Sequence, residues 1–184
     1  MSPVQGRVNE RSHADLASWH REVVARDGLV YAIRPIHRDD GERERAFILN
    51  LSSESRYSRL LHAVRDPPPD MIDRFVNVDY QRQMAFVATV GAPAAEHFIG
   101  VARYACDEQD CEFAVVVADE WQDHGVATSL LQLLFEYARA QGVRRVHCYT
   151  LAQNYRMLAL ARDLGLRTPR SEGDGAMVRL ARDL

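Results

Sequence analysis

The sequence contains no lysine: all 23 of its basic residues are arginine. The absence reads as codon usage, and its chemical consequence is that the chain has no lysine side chain of its own to modify. Cysteine is scarce. Cys106, Cys111 and Cys148 make an odd count, which excludes the paired framework of a small secreted domain. No apolar run approaches the roughly 18 residues of a membrane span, and the polar N-terminus has no signal-like apolar core. A basic excess is missing too. The 23 arginines face 26 acidic residues, for a net charge of −3, which argues against a general nucleic-acid binder. Internal repeats and low-complexity linkers are absent. These absences predict a reduced, cytoplasmic protein with no membrane and no nucleic-acid partner.

What is present suits one domain. A chain of 184 residues, 47% hydrophobic and 27% charged, has apolar material for a real core. The most informative stretch is 115–131, VVVADEWQDHGVATSLL. A β-branched run ends at Val117, a polar turn follows, and Gly125 opens an amphipathic segment. The first N–H groups of a helix lack partners inside it, and the macrodipole adds partial positive charge there. Glycine at the hinge lets an anion approach the backbone. Ordinary strand-to-helix turns use glycine as well, so this pattern alone leaves both readings open.

Residues 1–28 read as an N-terminal extension before a main domain at 29–184. Its 12–25 stretch fits a helix capped by Ser12, with Leu16, Trp19 and Val23 on one face and a stop at Asp27-Gly28. His13 and His20 are expected at its surface. Alternation predicts a strand over 29–36, closed by Pro35. Helices follow over 39–51 and 54–63, with Ser52 and Ser55 as N-cap candidates, and Pro67-Pro68-Pro69 breaks the chain. Met71, Phe75 and Val76 suggest another short helix.

Strands are predicted at 84–90, 98–106 and 111–118, the last two joined by a polar hairpin loop. Cys106 and Cys111 flank that loop. They can lie opposite each other, but a reducing compartment predicts free thiols, and with His97 they lack a fourth ligand for a metal. A helix over 126–141 ends at Gly142, a strand covers 144–151, and a helix over 153–164 ends at Gly165. Short strands near 166–168 and 177–180 complete an α/β (α+β) order: a mixed sheet with helices on both faces.

With that order in place, the chain resembles the GNAT N-acetyltransferases. Gln122-Asp123-His124-Gly125-Val126-Ala127 fits the family's Q/R-x-x-G-x-G/A acetyl-CoA loop. Asn154-Tyr155-Arg156-Met157-Leu158 through Leu164-Gly165-Leu166 fits its second landmark, an Asn that opens a helix closing on Leu-Gly. The resemblance covers about 29–181. It implies a mixed, mostly antiparallel sheet of about seven strands, splayed between the fourth and fifth (111–118 and 144–151). Leu51 to Tyr57, Asp79-Tyr80, Met84-Ala85, Ala102-Arg103-Tyr104 and Glu112 to Val117 further resemble bacterial protein-lysine acetyltransferases of the Pat type. Those are often attached to a nucleotide-binding or acyl-CoA-synthetase-like module, which these 184 residues do not include.

The resemblance implies acetyl-CoA as co-substrate, no metal, and direct transfer of the acetyl group to an amine. Coenzyme A would lay its pyrophosphate on the N–H groups of residues 123–128, through Asp123, His124, Gly125, Val126, Ala127 and Thr128. Its arm would pair with the backbone of Val115, Val116 and Val117, which would also polarise the thioester carbonyl, and Asn154 would hold the arm from the other side. An attacking ammonium must first lose a proton, and Glu112 is the candidate base; the bland alternative is a strand residue paired with an arginine such as Arg103. The sequence departs from the family where Asp123 and His124 stand in place of glycine and a base, and where Ala161 occupies the position of a helix tyrosine. Arg56, Tyr57 and Arg59 either line the acceptor side or form a solvated face, and Cys148 is expected in the core.

The acceptor is expected to be a protein lysine. The alternatives are a small-molecule amine, or a non-catalytic domain that senses acyl-CoA or binds a partner. The residues do not decide between monomer and homodimer.

Overall fold

A computed structural model describes residues 16–25, 27–60, 66–107, 110–168 and 176–184. Its layering follows from one strand, β3 (Gln83–Val90), in which Met84 to Thr89 are all buried. A strand so apolar must be covered on both faces. Met84, Phe86 and Ala88 belong to one core, while Ala85 and Val87 belong to the other. Around it runs an open seven-stranded sheet in simple sequence order: β1 (Arg21–Val24), β2 (Val30–Pro35), β3, β4 (His97–Asp107), β5 (Asp110–Val117), β6 (Arg145–Leu151) and β7 (Met177–Asp183). Every neighbouring pair is antiparallel except β5 and β6.

Three helices, α1 (Gly41–Asn50), α2 (Ser53–Leu60) and α3 (Pro69–Val76), lie between β2 and β3 in the chain. Phe47 and Ile48 of α1 and Ile72 and Val76 of α3 build the smaller core with Ala85, Val87 and Val101. The larger core lies on the opposite face under α4 (Val126–Ala140), whose Leu130, Leu131 and Leu134 are fully buried beside Phe86 and Phe113. Gly100 is what lets α4 lie so close to β4. A Cβ there would stand 3.0 Å from Leu130 Cδ1 and 3.2 Å from Val126 Cγ1. The last helix, α5 (Tyr155–Asp163), follows β6.

The extension differs from its expected form. Of the helix expected over 12–25, residues 12–15, with His13, lie outside the described residues, Ala17–Trp19 make one 3-10 turn, and Arg21–Val24 form β1, paired with β2 from Arg21↔Ile33 to Val24↔Val30. The spacing of Leu16, Trp19 and Val23 also serves a turn followed by a strand. Trp19 packs against Tyr137 and Phe86 at centroid distances of 4.9 and 6.4 Å, and the hairpin closes on Gly28 at φ +87°. The expected strand at 166–168 reduces to one bridge, Arg167↔Ala181. Cys106 and Cys111, expected as free thiols, are joined in a disulfide. The β4–β5 register sets them directly opposite, with Cα atoms 4.0 Å apart. Cys148 is buried and unpaired, as expected.

Candidate active site

The site begins where two strands part. β5 and β6 pair in parallel only over residues 110–112 and 145–147. Beyond Glu112 they diverge, so residues 113–117 keep β4 as a partner on one side and face a wedge on the other. The wedge opens into a cleft of about 660 Å³. Its walls are the β5 edge, the loop at 119–125, the first turn of α4, the end of β6 and the start of α5, with Glu54 and Ser55 of α2 at one rim.

The loop is held by side chains that the sequence placed far apart. Asp119 accepts hydrogen bonds from Ser52 N (2.9 Å), Ser52 Oγ (2.8 Å) and Ser55 Oγ (2.7 Å). Desolvation pushes its carboxyl up, but those donors outweigh it and hold the group below its ordinary value. Ser52 is also the N-cap of α2, accepting from Ser55 N at 3.1 Å. Gln122 Nε2 donates to Ser55 Oγ at 3.3 Å and to Val117 O at 3.4 Å. His124 Nδ1 contacts Asp27 Oδ2, tying the loop to the β1–β2 turn.

Gly125 is the N-cap of α4, at φ +82° and with no side-chain cap. A Cβ there would meet nothing within 4 Å, so the space over the first amides of a 15-residue helix is open. Asp123 is also left-handed, at φ +68°, a region that Asp tolerates better than most residues. Its side chain is 79% exposed and lies 3.4 Å from Arg156 Nη2. A second Arg156 nitrogen, Nη1, donates to Gln122 Oε1. Arg156 lies on α5, so the two walls of the cleft are joined through its guanidinium.

Across the cleft, Asn154 caps α5 by accepting from Met157 N at 3.0 Å. Its carboxamide oxygen is committed there, which leaves the N–H groups to offer a ligand. Glu112 is exposed at the root of the splay. Arg103, its alternative partner, is engaged elsewhere, bonded to Glu44 at 2.8 Å and stacked over Phe75 at 4.3 Å. Cys148 also reaches the cleft wall, but burial first, and the Glu112 charge second, push its thiol up to about 12, which disables it as a nucleophile. Ala161 is 1% exposed in the core, and Tyr155 is 76% exposed.

The structure therefore brings together Glu112, Val115, Val116 and Val117 with Gln122, Asp123, Gly125, Val126, Ala127, Thr128 and Asn154 on one cleft. His124 is the exception and supports the loop from outside. Arg56 is not among the residues that line the cleft. Its Nη2 donates to Leu49 O and Leu51 O at 2.9 and 2.8 Å, closing the end of α1. The side chains of Tyr57 and Arg59 lie outside the described residues. Sequence reasoning missed Asp119, Tyr149 and Arg156. Tyr149 had a legible signal, the alternation of β6 that puts it on the same face as His147.

The residues fit a coenzyme A thioester. The arm needs an unpaired strand edge and the diphosphate needs open helix amides, and both are present at one cleft. Among the described residues no group of His, Cys, Asp or Glu is placed to hold a metal ion, and no helix is long and apolar enough to cross a membrane.

Comparison with known proteins agrees with this geometry. The family description "Acetyltransferase (GNAT) domain" matches residues 12–167. Acetyltransferase PA5475 of Pseudomonas aeruginosa is 35% identical over 180 residues, covering 97% of each chain. Acetyltransferase Pat of Mycolicibacterium smegmatis is 30% identical over 146 residues, which are 78% of this chain and 43% of Pat. The solved GNAT domain of S. lividans PAT superposes with a TM-score of 0.84 at 33% identity, covering 91% of this chain and 98% of that one. The chain belongs to the GNAT family of acetyltransferases, whose members use acetyl-CoA as co-substrate, and is an acyltransferase.

Proposed function

We propose that this acetyltransferase acts on the side-chain amine of a protein lysine, with Glu112 as the base. The observation that carries the reading is the position of Glu112: exposed, at the point where β5 and β6 part, with Arg103 already paired to Glu44. The narrower likeness to Pat-type lysine acetyltransferases favours a protein acceptor. The carboxylates of Glu54 and Glu112, which both line the cleft, suit a cationic amine of either kind.

Bound acetyl-CoA supplies the thioester whose carbonyl carbon the amine attacks. The chain's own residues do the rest. Amides at the start of α4 hold the diphosphate. The free edge of β5 at Val115, Val116 and Val117 aligns the arm, and its N–H groups stabilise the oxyanion. Asn154 holds the arm from the opposite wall. Glu112 takes the proton from the incoming ammonium, directly or through water, which frees the lone pair. Ala161 offers no acid to the thiolate, which is a good enough leaving group to depart without one.

The test is Glu112→Gln, assayed by thiol release with lysine-containing proteins and with small amines as separate acceptors. We expect turnover to fall about 100-fold or more, the span of a general base, with acetyl-CoA affinity within about twofold on the same scale of effects. Unchanged turnover sinks Glu112 as base. Activity confined to small amines sinks the protein acceptor.

A further inference from the structure

The cleft has a charge problem that its loop does not solve. Its walls carry the carboxylates of Glu54, Glu112, Asp119 and Asp123. Among the described residues that line it, Arg156 is the one cationic side chain. The coenzyme is a polyanion, and the loop positions nearest its diphosphate hold Asp123 and His124. His124 lies outside the lining and is engaged with Asp27. Helix amides alone would have to offset both the ligand's charge and the Asp123 carboxylate.

We propose that Arg156 is the side-chain partner of the coenzyme's diphosphate, and that Asp123 holds the guanidinium in reserve until the ligand arrives. This rests on the coenzyme reading of the cleft. Arg156 lies in the first turn of α5, yet its guanidinium crosses to the opposite wall. Nη1 donates to Gln122 Oε1, and Nη2 stands 3.4 Å from Asp123 Oδ2. It thus sits beside the open N-terminus of α4, and at 70% exposure the side chain is free to turn. A guanidinium presents parallel N–H donors that match phosphate oxygens two at a time. A pair as exposed as Arg156–Asp123 contributes little in water, so exchanging one anion for a doubly charged one is favourable. The loop's departure from glycine and a base is thereby compensated from another helix.

Calorimetry on the whole chain with CoA and with dephospho-CoA tests this, using Arg156→Gln, Asp123→Asn and the double variant. Arg156→Gln weakens both ligands about tenfold, the worth of a charge-assisted contact. Arg156→Lys restores part of the loss. Asp123→Asn tightens both ligands, because it removes a competitor and a repulsion, and Asn tolerates the left-handed backbone equally well. If Arg156 merely braces the loop through Asp123, both single variants weaken binding alike, and the proposal is overturned. Unchanged affinity in Arg156→Gln overturns it too. A loss seen with CoA but absent with dephospho-CoA reassigns Arg156 to the 3′-phosphate and overturns the diphosphate assignment. Wild-type protein that binds neither ligand refutes the coenzyme reading itself, an outcome distinct from all of these.

Discussion

Replacing Gly125 with alanine separates what the loop does for the fold from what it does for the ligand. At φ +82° an L-residue pays a left-handed penalty of about 1–2 kcal/mol. Nothing lies within 4 Å of the added Cβ, so no packing clash adds to it. For a chain of this size each kcal/mol lowers Tm by about 2–4 °C. Gly125 lines the cleft with Val126, Ala127 and Thr128, so a methyl group added there is expected to crowd an anion held on the α4 amides. Loss of one backbone hydrogen bond to a charged group, about 1.5–3 kcal/mol, weakens binding about 10- to 100-fold. Gly142 supplies the control. It is left-handed at φ +80°, its Cβ also meets nothing within 4 Å, and it lies past the far end of the same 15-residue helix, which is about 22 Å long. Thermal melts should show the two alanine variants losing similar stability. Calorimetry with acetyl-CoA should show only Gly125→Ala losing affinity. Wild-type affinity in Gly125→Ala, or equal loss in Gly142→Ala, refutes the reasoning.

Two further outcomes concern ion pairs of the framework outside the cleft lining. Glu44→Ala removes a 3% exposed carboxylate from the 14% exposed Arg103 and leaves that charge in the core; urea unfolding should show a loss of about 3–5 kcal/mol. The second is a pH dependence. Arg34 bonds Asp40 at 2.7 Å and Glu96 at 2.6 Å. Burial pushes the Asp40 carboxyl up, but Arg34 and the His37 amide outweigh it and hold it below its ordinary value; Glu96 is lowered chiefly by Arg34. A carboxyl lowered in the fold stabilises above its unfolded pKa, and that stability is lost as pH falls through the folded value. It is therefore full above about pH 5 and drains below about pH 4. Arg34→Gln removes the lowering, so acid unfolding followed by circular dichroism should begin at higher pH than in the wild type.

Much of the fold was legible because its signals are local. The stripe of Leu130, Leu133, Leu134 and Tyr137, closed by Gly142, marks α4 to within a residue. The apolar run at 84–90 marks β3. β1 was not legible, because three apolar residues spaced by three and four satisfy a helix as readily as a turn followed by a strand. The disulfide was misjudged because compartment was weighed above register, and register is what sets Cys106 opposite Cys111.

At the site, the anion loop and Glu112 could be read from short motifs. Asp119 and Arg156 could not. Each acts by reaching an element more than 30 positions away, Asp119 to Ser52 and Arg156 to Gln122, and only the folded chain brings those partners together. Asp123 looked adverse in the sequence because its backbone angle and side-chain direction were unknown. At φ +68° and paired with Arg156, it is accommodated.

The wedge between β5 and β6, with the open start of α4 beside it, is where a coenzyme A thioester is expected to bind. The most direct measurement is calorimetric titration of the purified chain with acetyl-CoA. Saturable binding of one acetyl-CoA per chain, with a dissociation constant in the range of about 1 μM to 1 mM usual for enzyme substrates, is the predicted result. Absence of binding across that whole range would contradict the account.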